Sequence, residues 1–258
     1  MTGSVIRPHP VEDPVLRLFL LHHAAGSHLA FTNWLTLFPA DWDICLLEAP
    51  GRGRLGHLAP CDSAPTLANR FIDDLHGLLD APFALFGHSM GGLIAYETTL
   101  RLAERALPAP VWVGISACGS PRDDGAADTA CPDPHAEPPF RTLPDQQLRS
   151  VLGRLGVLPP ALLDDDQLWA RLAPRVRADF TLVENWHPRP GERGRLRAPL
   201  SLFGGLDDPM VPPDALTAWD EVADRVVGQH FFPGGHFYFT GQEAALVDQI
   251  VLETGVYA

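Results

Sequence analysis

The sequence predicts an α/β fold, a mostly parallel sheet covered by helices on both faces, with a helical insertion before its last strands. Three observations predict it. Apolar runs of strand length alternate with stretches of helical spacing. The pattern Gly87-His88-Ser89-Met90-Gly91 lies between one such run and one such stretch. The alternation then breaks over residues 119–197, where the apolar residues keep only helical spacing.

In chain order, residues 15–21 read as the first long strand and lead into a loop rich in histidine and alanine, 22–28. Residues 31–38 read as a helix and 43–48 as a second strand, which runs into the turn-rich loop 49–54. Ser63-Ala64-Pro65-Thr66 reads as a helix start with proline just inside, and that helix is expected to reach Leu79. Residues 83–86 form the next strand, 92–105 a helix and 111–117 another strand. Residues 119–139, rich in proline, aspartate and alanine, read as a mobile loop. Leu148, Val151, Leu152 and Leu155 fall at i, i+3, i+4 and i+7, one helix face. Leu168, Trp169 and Leu172 to Val176 suggest a second helix, and residues 177–185 a third. Residues 199–203 and 229–232 are strands, and 243–253 is the last helix. The expectation is one domain, 1–258, whose insertion 119–197 lies over the site as a lid.

Composition narrows the function. Apolar residues make up 46% of the 258, enough for a sizeable core. No apolar run approaches twenty residues, so no membrane span is expected, and the first ten residues lack the apolar stretch of a signal peptide. A cytoplasmic protein is the expectation. A formal net charge of −13 argues against nucleic acid and anionic membranes as partners. Cys45, Cys61, Cys118 and Cys131 have no metal-binding or disulfide spacing, and Cys45 and Cys118 sit in apolar runs as packing residues.

The chemistry centres on Ser89. A strand, a sharp turn carrying serine and then a helix lift the hydroxyl to the helix N-terminus, where the dipole favours a developing anion. Side chains at Gly87 or Gly91 would clash across so tight a turn. A nucleophilic serine needs a base, and the base an orienting acid. Asp208 follows the strand 199–203, and Pro209 after it and Val211 three residues on hold the loop. It is chosen over Asp207, which reads as a turn residue. His236 follows Gly234-Gly235 between the last strand and the final helix and is the expected base, whereas His230 is a strand residue. An oxyanion hole needs two backbone N–H groups, expected from Met90 and from Ala24, with Ala25 as the alternative to Ala24. His22, His23 and His28 invite a metal reading, but no metal is expected because adjacent histidines point to different sides and no further ligand completes a set.

Taken together, these motifs resemble the stand-alone type II thioesterases of polyketide and nonribosomal peptide assembly lines, a family with the α/β-hydrolase fold. The resemblance runs over nearly the whole chain. It rests on residues 21–27, Ala49-Pro50-Gly51-Arg52, the 86–92 turn, Arg177-Ala178-Asp179-Phe180, residues 204–209 and Gly234-Gly235-His236-Phe237. His22 stands where the family usually has proline, and Ala25 where it usually has glycine. The resemblance implies hydrolysis of acyl groups from the phosphopantetheine arm of an acyl or peptidyl carrier protein, through an acyl-enzyme on Ser89. It implies no cofactor of the enzyme's own, because phosphopantetheine arrives with the substrate, and a monomer is expected. The alternatives are a small-molecule esterase or lipase, an acyltransferase, or a catalytically silent partner of a synthase.

Overall fold

The computed structural model describes residues 3–121, 138–189 and 191–257. Among them, seven strands form one sheet: β1 (Val5–Ile6), β2 (Leu16–Leu21), β3 (Trp42–Leu47), β4 (Phe83–His88), β5 (Trp112–Ser116), β6 (Leu200–Gly205) and β7 (Val226–Phe232). Their order across the sheet is β1-β3-β2-β4-β5-β6-β7. β1 runs antiparallel to β3, and every other neighbouring pair is parallel. Strands β2 to β6 are buried along their whole length, as continuous apolar runs covered on both faces should be.

Alternation within a strand sends side chains to opposite layers. Phe19 and Leu21 of β2 enter a core shared with the helices α1 (Ala64–Leu75), α2 (Met90–Glu104), α3 (Asp145–Arg154) and α5 (Asp166–Glu184). Leu16, Leu18 and Leu20 enter the other core, with Trp34, Phe86, Phe203 and the helix α7 (Glu243–Thr254). Each fully buried side chain of this size contributes about 1.5–3 kcal/mol. Two short helices, α4 (Pro160–Leu163) and α6 (Pro213–Thr217), complete the described helical segments longer than a single 3₁₀ turn, apart from the 3₁₀ segment His28–Leu37.

Several elements differ from expectation. The stretch expected as a helix over 31–38 is 3₁₀ and begins earlier, at His28. Its buried residues are Phe31 and Trp34, and a three-residue turn places i and i+3 on one line, so this winding buries both. The two helices expected over 168–176 and 177–185 are one, α5, which continues through Pro174. Trp169, Ala173, Val176, Phe180 and Val183 line a single buried face, while Pro174 is exposed. Packing of that face outweighs the hydrogen bond the proline removes. Ser63 caps α1 as expected, but the helix passes into a 3₁₀ turn after Leu75. β1 carried no sequence signal, and β7 begins three residues before the expected strand. Most of the loop expected over 119–139, with Cys131, lies outside the described residues. Cys45 and Cys118 are buried, as expected of packing residues.

Every parallel strand points the same way, so the loops after β2, β3, β4, β6 and β7 gather at one edge of the sheet. Four histidines are buried there, among them His22 at 3%, His23 at 8% and His88 at 0% exposure. Burial, aided by the nearby charge of Arg52, holds His22 well below its ordinary range. Burial brings His23 down to about 4, and burial beside His236 and His23 holds His88 low as well. The unfolded chain therefore binds more protons than the fold between the ordinary value of 6.5 and about 4. Acidification through that window removes stability, by at most about 1.4 kcal/mol per pH unit for each histidine. The thermal midpoint is expected to fall as pH drops from about 7 to about 5, and His88→Asn, which keeps a hydrogen-bonding group toward Ser116, to make the fall shallower. A midpoint that stays level or rises on acidification contradicts this account.

Candidate active site

The turn after β4 is as tight as the glycines imply. A Cβ at Gly87 would lie 2.0 Å from the carbonyl oxygen of Gly91, and one at Gly91 would lie 2.1 Å from that of Leu21. Between them Ser89 adopts φ +58°, a left-handed conformation rare for a residue with a side chain. The Ser89 N–H donates to Ser116 O at 2.7 Å, and its carbonyl accepts from Gly92 N at 2.8 Å, so the strain is held from both sides. Helix α2 begins at Met90, placing Ser89 at its N-terminus.

Ser89 Oγ lies 2.9 Å from His236 Nε2, and His236 Nδ1 lies 2.8 Å from Asp208 Oδ2. Asp208 Oδ1 accepts from Met210 N at 2.9 Å and Val211 N at 3.2 Å, which fixes the carboxylate. With Asp208 ionised, Nδ1 carries the imidazole proton, and Nε2 accepts from the serine hydroxyl. All three residues are buried, at 4–5% exposure, whereas Asp207 is exposed. The loops after β4, β6 and β7 thus bring together the three side chains expected from sequence. His230 instead pairs with Glu253 on α7, at 2.7 Å.

The loop after β2 forms the adjoining wall. Ala24 lines a cavity with His23, Ser89, His236 and Phe237, closed from the far side by Leu155, Val157, Phe180 and Met210. Its volume is about 10 Å³, roughly the space of one water molecule. Residues 23–26 make a turn in which Gly26 N donates to His23 O at 3.1 Å and Ala25 takes φ +63°. Ala25 N donates to Asp179 Oδ2 at 2.8 Å, so the alternative oxyanion donor is committed elsewhere.

Asp179 comes from α5, 154 residues further along the chain. It also receives Arg52 end-on, with Nη1 to Oδ2 at 2.9 Å and Nη2 to Oδ1 at 2.6 Å. Arg52 Nη1 donates to Gly26 O at 2.9 Å as well. Both side chains of this pair are 1% exposed. Sequence reasoning touched Arg52 and Asp179 only through the family resemblance. A buried arginine in the loop after β3 is the signal that needed a partner, and nothing in the spacing named it.

The histidines of this loop serve as struts. His22 Nδ1 donates to His23 O at 2.8 Å while its Nε2 accepts from Ala49 N at 3.3 Å. His23 Nδ1 donates to Ala24 O at 2.9 Å, and its ring meets Phe237 edge-on at 4.8 Å. His28 pairs with Glu48, the residue after β3. Among the described residues no group of three His, Cys, Asp or Glu side chains is placed to hold a metal ion. Behind His236, His88 Nδ1 lies 2.8 Å from Ser116 Oγ, and that oxygen lies 2.7 Å from the Tyr238 hydroxyl.

Comparison with known proteins places this geometry. A family model described as a thioesterase domain matches residues 16–252. The chain is 29% identical over 233 residues to the gramicidin S biosynthesis protein GrsT of Aneurinibacillus migulanus, covering 90% of this chain and 86% of that protein. Among solved structures it resembles YbtT, the type II thioesterase of the yersiniabactin NRPS/PKS biosynthetic pathway, at TM-score 0.82 and 30% identity, with 97% of this chain and 98% of that one covered. It also resembles RedJ, the thioesterase of the prodiginine biosynthetic pathway in Streptomyces coelicolor, at TM-score 0.81 and 30% identity, covering 96% and 94% of the two chains. With nearly the whole chain matched, in sequence and in fold, the protein belongs to the thioesterase family.

Proposed function

We propose that the protein hydrolyses acyl thioesters carried on the phosphopantetheine arm of acyl or peptidyl carrier proteins of a polyketide or nonribosomal peptide assembly line. The observation that carries this is the hydrogen-bonded series Ser89–His236–Asp208 at 2.9 and 2.8 Å in a chain of the thioesterase family. The pathways of the relatives supply the carrier-bound substrate class. No nucleic acid or membrane partner enters this reading, and no helix among the described residues is long and apolar enough to cross a membrane.

In this reading His236 Nε2 takes the proton of Ser89 as Oγ attacks the thioester carbonyl. The N–H groups of Ala24 and Met90 receive the oxyanion, and Asp208 balances the imidazolium. The C–S bond breaks, and the departing sulfur takes the proton from His236. Water then gives a proton to His236 and attacks the acyl carbonyl. The bond to Oγ breaks, Ser89 regains its proton, and the acyl group leaves as the free acid. The enzyme acts as a monomer and brings no cofactor.

The helices between β5 and β6 serve as the lid. A cavity of about 10 Å³ holds no acyl chain, so the turn carrying Leu155 and Val157 withdraws to admit one. This turn ends α3 at Gly156, φ +71°.

Two measurements test the proposal. Hydrolysis of one acyl group is compared on a carrier protein, on coenzyme A and as an oxyester, and the carrier protein is expected to react fastest. Equal or faster oxyester hydrolysis indicates a general esterase. In the same assay Ser89→Ala abolishes turnover, and Asp208→Asn lowers kcat by about 10³–10⁴ through the wrong imidazole tautomer. Full activity of either variant removes the triad. For the lid, Leu155→Ala with Val157→Ala raises kcat/KM for long acyl chains relative to acetyl. An unchanged chain-length profile places the acyl chamber elsewhere.

A further inference from the structure

The loop after β2 contains three successive peptide groups, and each is held by a different partner. The peptide joining Ala24 to Ala25 is gripped at both ends, its carbonyl by His23 Nδ1 at 2.9 Å and its N–H by Asp179 at 2.8 Å. The peptide joining Ala25 to Gly26 gives its N–H to His23 O at 3.1 Å, and Gly26 O, in the peptide that follows, accepts from Arg52 at 2.9 Å. The peptide joining His23 to Ala24 matters most, because its N–H is the oxyanion donor of the proposed reaction. Its carbonyl accepts from Gly26 N at 3.1 Å and from His22 Nδ1 at 2.8 Å.

A trans peptide is planar, and its C=O and N–H point in opposite directions. Holding His23 O therefore aims the Ala24 N–H the other way, to the side where Ala24 lines the cavity with Ser89 and His236. The Gly26 bond closes the turn but comes from the same short loop and moves with it. His22 is braced from outside: Ala49, after β3, donates to Nε2 at 3.3 Å, so Nδ1 carries the proton. The ring is 3% exposed. Burial and the Arg52 charge keep it neutral, and only a neutral ring can accept from Ala49 while donating to His23.

We infer that His22 is a positioning residue for catalysis, whose Nδ1–H aims the Ala24 N–H at the oxyanion. This rests on the oxyanion assignment above. His22 touches no substrate atom and acts through the His23–Ala24 peptide. The predicted loss therefore lies in kcat, with substrate affinity unchanged.

The test uses the intact protein with an activated aryl ester and its thionoester counterpart, alongside an acyl thioester. Sulfur in place of the carbonyl oxygen is larger and a weaker acceptor, so an aimed oxyanion hole favours the oxygen ester. His22→Leu removes both ring contacts, and His22→Gln leaves only a group that can reach Ala49. Each is expected to lower kcat roughly 10- to 100-fold with KM within about twofold, and to shrink the preference for the oxygen ester. His22→Asn, whose amide N–H stands near the place of Nδ1, is expected to recover most of the rate and the preference. Rates are referred to folded protein by fluorophosphonate titration of Ser89. If His22→Leu and His22→Gln keep the full oxygen-ester preference, His22 is only structural and the inference fails, whatever happens to kcat. If the wild-type protein shows no preference, the oxyanion assignment fails and this inference with it.

Discussion

The close approach of three backbone segments at the end of β4 is the constraint on which the rest depends. Gly87 lies against Gly91, and Gly91 against the carbonyl of Leu21, with room for no Cβ at either. That contact forces Ser89 to φ +58°, a conformation costing about 1–3 kcal/mol. It is tolerable because β4 is in the middle of the sheet, paired on one side with β2 and on the other with β5. The same contact places the loop after β2 directly beside the serine. The hydroxyl and the loop after β2 are thus positioned by one packing event.

The second requirement is polar. The edge of the sheet that carries the site buries an arginine, an aspartate and several histidines, which would be costly without partners. Most find them in neighbouring backbone or in an opposite charge, and His88 meets the Ser116 hydroxyl. The Arg52–Asp179 pair is end-on and buried, and removing one partner of such a pair costs about 3–5 kcal/mol. It also links three elements distant in sequence: the loop after β3, the loop after β2 and helix α5. Ser89 and His236 therefore sit among dipoles held in fixed orientations. Asp179 and Phe180 lie on one helix, the first holding the oxyanion loop and the second lining the cavity, so α5 joins the site wall to its cover.

Much of this was legible in the residues. The turn around Ser89 has a local cause, because the glycines, the preceding apolar run and the following helix lie within one short stretch. Asp208 could be separated from Asp207 by the residues that follow it, and the Asx-type bonds to Met210 and Val211 are the physical form of that signal. His236 was distinguished from His230 by its place after the last strand. The errors were of another kind. Residues 28–37 wind as 3₁₀ because Phe31 and Trp34 must enter the same core, and α5 runs through Pro174 because five side chains share one buried face. Both outcomes depend on what lies opposite the segment.

The same distinction separates what the sequence determined from what only the tertiary structure decided. The sequence alone determined the α/β architecture and the strained serine turn, and it singled out Ser89, Asp208 and His236, since turn chemistry and apolar period act within a few residues. Tertiary structure committed the Ala25 N–H to Asp179. It decided that Arg52 is buried against Asp179, 127 residues away, and that His22 Nδ1 meets the carbonyl of His23. Such pairings carry no sequence period. They arise because buried donors and charges must be satisfied by whatever the fold brings within reach.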